Sequence, residues 1–318
     1  SGFPPSLQWI GTTPVLFPFI HLVFLGLGLP FGLAAIAAMI TVLIRWITRR
    51  DTHHMAVLAL FILFMFAHQS LQFAKAMRYL LPVYPSIAVL TAWWIMTMYK
   101  RFKPHRAVVI IGIIVLQLWP IACISMYLQP HSRVAASTWI YAHIPKGATI
   151  AWEHWDDPLP LRIGDMTIYE FQTNQLPLFN PESPSKWTKI AGQLEQSDYI
   201  ILSSNRVYAG TGNATARFPQ TQRYYAQLFS GTLGFTLVAQ FVSRPTIPVP
   251  GISACLQMPF FSYGRIAQKT DTCTQPGVAI VDDYVDETFT VYDHPKVLIF
   301  RNTGRLTATQ LFNQIYGK

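Results

Sequence analysis

Long apolar runs separated by short basic turns fill the first 129 residues, and amphipathic stretches alternating with short apolar ones fill the rest. No formal charge precedes Arg45, and the stretch 16–44 exceeds the ~20 residues that cross a hydrocarbon core. It predicts a spanning helix, tilted or kinked, with Gly26, Gly28, Pro30 and Gly32 as its irregularity. Charge-free runs at 52–74, 79–99 and 107–129 predict three more spans. From Pro130 the pattern predicts helix 132–143 stopped by Ile144-Pro145-Lys146-Gly147, then strand 148–152, helix 185–196 and strand 199–202. Helix 221–229, the turn Ser230-Gly231 and strand 235–241 repeat this order. The Pro-rich segment 244–259 reads as loop, 288–292 with 296–301 as a hairpin, and 307–316 as a closing helix. Alternation of this kind predicts a layered domain with a largely parallel sheet. The expected fold class is therefore a multi-span α-helical membrane domain (1–129) followed by an extracytoplasmic α/β domain (130–318).

Composition supports the membrane half: 51% of the 318 residues are hydrophobic and 12% charged, too few charges for an ordinary soluble chain of this size. Nine cations and one anion, Asp51, precede residue 129, and fifteen cations and fourteen anions follow it, so eight of the nine net positive charges lie in the first part. They occupy short loops beside apolar runs and form no patch on a folded domain, which removes nucleic acid as a favoured partner. Arg45, Arg49 and Arg50 precede the second span, and Lys100, Arg101, Lys103 and Arg106 separate the third from the fourth. The positive-inside rule makes both loops cytoplasmic, so the beginning, the turn at residues 75–78 and everything after 129 are expected outside. Trp93, Trp94, Tyr99, Trp119 and Tyr127 suit either interfacial anchoring or packing between helices. The chain opens Ser1-Gly2-Phe3-Pro4-Pro5, without an initiator Met or a charged signal region, and reads as a processed product or a fragment.

The turn between the second and third spans holds the first candidate chemistry. On a continuous helix His68, Gln72 and Lys75 share one face, Arg78 follows, and Pro82 and Pro85 suit the first turns of the next helix, whose amino end is positively polarised. Two cations and a helix amino end make an anion site at the outer headgroup level, and they run against the charge bias that sets topology. A bound phosphate-bearing lipid, bulk lipid phosphate reached by snorkelling and a protein carboxylate are the partners to weigh.

The run Arg78-Tyr79-Leu80-Leu81-Pro82-Val83-Tyr84-Pro85, with Lys75 ahead of it, resembles the R-Y-L-L-P-x-Y-P segment of prokaryotic relatives of protein O-mannosyltransferases and the lipid A aminoarabinose transferase, the GT-C class of polyprenyl-phosphate-sugar-dependent membrane glycosyltransferases. The opening Gln8-Trp9-x-Gly11-x-Thr13-Pro14, the segment Trp152-Glu153-x-Trp155-Asp156-Asp157-Pro158-Leu159-Pro160 and Tyr292-Asp293-His294-Pro295-Lys296-Val297 are similar to segments of large bacterial members. The resemblance covers the later half of such a protein. It implies a multi-pass enzyme of the bacterial inner membrane that takes a sugar from a polyprenyl-phosphate carrier on the outer side. Lys75 and Arg78 would bind the lipid phosphate, and His68, Gln72, Tyr79 and Tyr84 would line the site. Catalysis in that class is attributed to an acid early in the chain, in an external loop, whereas the only acid before residue 129 here is Asp51, on the expected inner side. The general base then belongs to an amino-terminal half or to another membrane chain, or the protein is a non-catalytic scaffolding subunit of a larger bacterial assembly.

In the later half Glu153, His154, Asp156 and Asp157 stand together at the carboxyl end of a predicted strand, where α/β domains bind ligands. The group is open to a divalent cation or a sugar, with Trp152 and Trp155 as stacking surfaces, or to life as a solvated loop, and its spacing fits no metal motif. Asp282, Asp283, Asp286 and Glu287 read as a solvated acidic face. Asn213-Ala214-Thr215 fits a glycosylation acceptor, silent in a bacterial source. Cys255 and Cys273 are able to close a disulfide in an oxidising compartment.

Overall fold

The computed structural model describes residues 4–48, 53–101, 103–266, 273 and 276–317. Arg49, Arg50 and Asp51 of the first basic loop lie outside the described residues. The chain divides into two compact units, Gly11–Ile124 and a second made of Ser1–Ile10 with Ser125–Lys318. The opening residues thus belong with the later part of the chain: Leu7, on the 3-10 turn Pro4–Trp9, joins its main core.

The first unit holds α1 (Leu16–His21), α2 (Leu29–Ile47), α3 (His53–Leu71), α4 (Tyr84–Arg101) and α5 (Arg106–Leu116), with α6 (Leu118–Tyr127) leading out of it. Four helical stretches are long and apolar enough to cross a membrane, Leu29–Ile47, His53–Leu71, Met77–Arg101 and Arg106–His143, and they mark a membrane protein. The expected 16–44 span is two pieces. A π-helical stretch, Leu22–Gly26, continues α1, and the chain then breaks at Gly28, whose φ of 73° suits glycine alone. A Cβ there would meet Trp119 at 2.3 Å, so this glycine also admits the indole, whose Nε1–H donates to Leu25 O at 2.8 Å. Trp94 likewise donates to Thr41 Oγ1 at 3.0 Å. Of the two uses open to these tryptophans, both serve packing between helices.

The second unit contains α7 (Ser132–His143), β1 (Thr149–Glu153), β2 (Gln172–Leu176), α8 (Pro184–Glu195), β3 (Tyr199–Leu202), α9 (Arg206–Gly212), α10 (Pro219–Ser230), β4 (Phe235–Phe241), β5 (Thr246–Ile247), β6 (Ser253–Gln257), β7 (Gly277–Val281), α11 (Glu287–Thr290), β8 (Val297–Asn302) and α12 (Ala308–Tyr316). The main sheet has the order β2-β1-β3-β8-β4. β1 runs parallel to β2 and β3, and β8 runs antiparallel to both β3 and β4, so the sheet is mixed and the expectation of a largely parallel one is corrected. The period of two along each strand feeds two cores. Ile200, Leu202, Leu298 and Phe300 face one, and Tyr199, Ile201, Val297 and Ile299 face the other. Trp187, Ile190, Ala191 and Leu194 of α8 stand at i, i+3, i+4 and i+7 and close the first core. Ala136 and Ile140 of α7 close the second.

Two sequence expectations fail here, and one strand was not foreseen. Residues 288–292 form no hairpin strand, because Asp286 caps Thr288 N–H at 2.8 Å and starts α11. The Pro-rich segment contributes β5 and β6 to a second sheet of order β5-β7-β6. β2 went unpredicted because its Gln-Thr-Asn-Gln side chains are those of a polar edge strand.

Candidate functional site

In the membrane unit α3 stops at Leu71, and residues 72–76 run without helix into a 3-10 stretch, Met77–Val83. His68, Gln72 and Lys75 therefore do not form a helical stripe. The helix ends before Gln72, so Lys75 falls in the irregular loop that follows, and that loop turns its side chain inward. Its Nζ donates to Thr12 Oγ1 at 3.2 Å and to Phe73 O at 3.3 Å, and the residue is 7% exposed. An ammonium has three donors, and both acceptors here are neutral. No carboxylate pairs with Lys75 among the described residues. Arg78 points outward with its guanidinium 5.5 Å from the centre of the exposed Tyr79 ring. Gln72 donates to the backbone of His68 at 3.4 Å, and His68, exposed, stacks on Phe64. The half-buried Tyr84 opens α4 and packs its hydroxyl against Gly26. The structure thus joins Gln72 to the His68 backbone and Lys75 to Thr12, and leaves Arg78 and Tyr79 as a separate exposed pair.

In the second unit the carboxyl ends of β1 and β3 and the amino end of β8 lie along one edge of the sheet, as the pairing of Leu202 with Leu298 requires. Ionisable side chains concentrate there. Glu153 ends β1, is 1% exposed and accepts from the Tyr225 hydroxyl, while its Oε2 meets no hydrogen-bond partner among the described residues. Burial raises its carboxyl well above the usual range; the Tyr225 bond opposes this, and the charge of Asp156 adds to it. Asp156 accepts from Ser204 Oγ at 2.5 Å and Arg133 Nη2 at 3.2 Å, and the other arm of Arg133 holds the exposed Asp157 at 2.7 Å. Burial raises Asp156 too, against the pull of these partners. Trp155, between them, sits at φ 81°, a strained position for a bulky residue, and its carbonyl accepts from Arg206 Nη1 at 2.7 Å. Arg206 also stands 3.4 Å from the Glu287 carboxylate and lies over the exposed Tyr292 ring.

The run 282–287 is the main correction to the sequence reading. Asp282, Asp283, Asp286 and Glu287 are 2%, 8%, 3% and 1% exposed, a buried ionic core in place of a solvated face. Asp283 is gripped by Arg244 through Nε at 2.9 Å and Nη2 at 2.7 Å, and by Lys296 at 2.8 Å. Burial acting alone would raise its carboxyl; the two cations outweigh it and hold it at about 2. His294 bridges Asp282 and Asp293, each at 2.8 Å. Burial would lower the imidazole, but the two carboxylates push it to about 10, so it is a cation at neutral pH. Burial lifts Glu287 to about 7 despite Arg206. Gln8 covers this group, accepting from the Glu287 backbone N–H at 3.2 Å.

Glu153 and Asp156 therefore meet at this edge, whereas Asp157 and the half-buried His154 remain at its surface. The four do not converge as metal ligands, and no group of three metal-binding side chains occurs among the described residues. The recess lined by Asn205, Asp283, Thr290, His294 and Lys296 has no room for a water. Chemically the edge can hold protons, on Glu153 and, near neutrality, on Glu287. The sequence reading missed Arg133, Arg206, Arg244 and Tyr225. The apolar Gly-Val-Ala-Ile-Val run of β7 leading into Asp282 was the signal that those acids are buried. Cys255, on β6, and Cys273 are joined as a disulfide.

No family model matches the chain, and neither a curated protein nor a solved structure matches it.

Proposed function

We propose that this chain is the carboxy-terminal part of a GT-C-like membrane glycosyltransferase that uses a lipid-phosphate-linked sugar on the outer face of a bacterial plasma membrane. One observation carries the reading: Lys75 is turned inward, 7% exposed, and its part-buried ammonium rests on the neutral oxygens of Thr12 and Phe73 with one donor to spare. A buried charge without a counter-ion is costly unless an anion completes it, and a phosphate monoester or diester has oxygens to accept that donor. In this reading Arg78, three residues on in the chain and exposed beside Tyr79, presents a second, separate fork to the phosphate-bearing lipid. The reading also needs a carboxylate base that the membrane unit, whose sequence contains Asp51 alone, does not bring to the outer side.

The purified chain in nanodiscs is titrated with a fluorescent polyprenyl phosphate, and the Lys75→Ala, Arg78→Ala double variant is compared at equal folded amount. Loss of binding by 50-fold or more, on the order of two charge-assisted hydrogen bonds, supports the assignment. Equal binding by the two proteins removes it.

A second reading, a non-catalytic scaffolding subunit, is favoured by the membrane-facing helices themselves. α5 contains no buried residue, which leaves a long apolar surface for other membrane chains. Stoichiometric co-purification with such chains and no carrier lipid would favour it.

A further inference from the structure

The Cys255–Cys273 disulfide, half-buried at both ends, lies against a buried guanidinium. Arg244, between β4 and β5, is 6% exposed. Its Nε and Nη2 hold the Asp283 carboxylate at 2.9 and 2.7 Å, and its Nη1 donates to Cys273 Sγ at 3.7 Å. The two-pronged grip on Asp283 fixes the plane of the fork, so the contact with sulfur is set by the ionic core and not by the cystine itself. Lys296 shares the same carboxylate at 2.8 Å, which divides one negative charge between two cations.

This contact makes the two sulfurs unequal. In thiol–disulfide exchange an incoming thiolate bonds to one sulfur, and the other departs with the electron pair of the broken bond, the faster the more stable it is as a thiolate. A neighbouring cation supplies that stability. At Cys273 the departing charge forms against an Nη1–H that is already in place. Cys255 lies on β6, an edge strand of the β5-β7-β6 sheet, in register with Ala279 of β7. Its strand neighbours Ala254 and Leu256 are exposed, which admits a small reagent to this sulfur.

We propose that the Cys255–Cys273 disulfide is a site of exchange with small thiols, in which Cys255 is the attacked sulfur and Cys273 the leaving thiolate received by Arg244. The reagent's thiolate forms a bond to Cys255 Sγ, the Cys255–Cys273 bond breaks, and its electron pair stays on Cys273. A second reagent thiolate then attacks the reagent sulfur of the mixed disulfide, and Cys255 leaves as a thiolate that takes a proton from water. Two reagent thiols are oxidised to their disulfide, and the protein cystine is reduced. The site is far in sequence from Lys75 and stands whether or not the chain serves a glycosyltransferase.

The test treats the folded chain in detergent with glutathione at pH 7, traps free thiols with iodoacetamide and maps both cysteines by peptide mass spectrometry. Glutathione is expected on Cys255 and the alkyl group on Cys273, with a preference on the order of tenfold. Glutathione on Cys273, equal adducts on both sulfurs or no adduct overturns the proposal. Cys255→Ser and Cys273→Ser each present one thiol alone. Between pH 9 and pH 7 the iodoacetamide rate of Cys273 is expected to fall about twofold, and that of Cys255 to approach the about 25-fold fall of an ordinary thiol. Equal falls overturn the proposal. Arg244→Gln, which leaves Lys296 on Asp283, should give Cys273 the steeper fall, and a Cys273 rate unmoved by it overturns the role of Arg244. Should that variant not fold, the comparison of the two single-cysteine proteins decides.

Discussion

Replacing His294 by Gln removes the cation that Asp282 and Asp293 share while keeping a side chain of similar size. His294 and Asp282 have side chains 6% and 3% exposed, so the carboxylate left behind at Asp282 is buried without a positive partner. The imidazole is lifted from 6.5 to about 10, and at about 1.36 kcal/mol per pH unit that interval bounds the linked stability at roughly 5 kcal/mol. Breaking a buried pair by removing one partner costs roughly 3–5 kcal/mol, which brackets the same figure. A folded-state pKa above the unfolded one favours the protonated native state. This contribution is therefore full below pH 6.5 and is lost as pH rises towards 10. Urea denaturation of wild type and H294Q in one detergent, at intervals from pH 6 to pH 10 and followed by near-ultraviolet circular dichroism, measures it. The difference between the two proteins is expected to be largest near pH 6 and to close by pH 10. A difference that is constant across this range, or an imidazole of His294 that titrates near 6.5 by NMR, would refute the reasoning.

Glu287→Gln is expected to remove a stability loss that wild type suffers between pH 4.5 and about 7, because burial holds this acid protonated to about 7 and its ionisation inside the fold is unfavourable; pH-dependent melting of the two proteins checks it. Asp283, held at about 2 by Arg244 and Lys296, contributes stability present above pH 3.8 and lost as pH falls towards 2, so Asp283→Asn should flatten the acid limb of the same curve. Gly28→Ala places a Cβ against Trp119 at a positive φ, costing roughly 1–2 kcal/mol in backbone strain alone, and should lower the melting temperature of the membrane unit. Cys255→Ser with Cys273→Ser should lower stability by about 3 kcal/mol, the scale for a loop of this length, and reduction of wild type should reproduce that loss and leave the double variant unmoved.

The division into apolar spans and a mixed α/β region was legible because hydrophobic length and period are local properties. The break near Gly28 was readable for the same reason, as a cluster of Gly and Pro inside an apolar run. Strands β1, β3, β4 and β8 announced themselves by apolar runs, while β2 did not, since an edge strand needs little apolar surface on its outer side. The ionic edge of the sheet was half visible. Glu153 and Asp156 follow a strand and were read as a group, but their partners Arg133, Ser204, Arg206 and Tyr225 lie 20 to 72 residues away in the chain and converge only through the order β1-β3-β8. The acids of 282–287 were misread for a related reason: their counter-ions, Arg244, His294 and Lys296, are supplied by other segments, and without them burial of four carboxylates is prohibitive. Lys75 failed as part of a helical face because α3 ends at Leu71 and Lys75 lies in the irregular loop that follows.

Photo-crosslinking tests the functional reading most directly. A diazirine-bearing polyprenyl phosphate is irradiated with the full chain in nanodiscs, and the labelled peptides are mapped. The account predicts label concentrated in residues 68–84 and lost when Lys75 and Arg78 are both replaced by Ala. Label spread evenly over the apolar helices, or unchanged in the double variant, would contradict it.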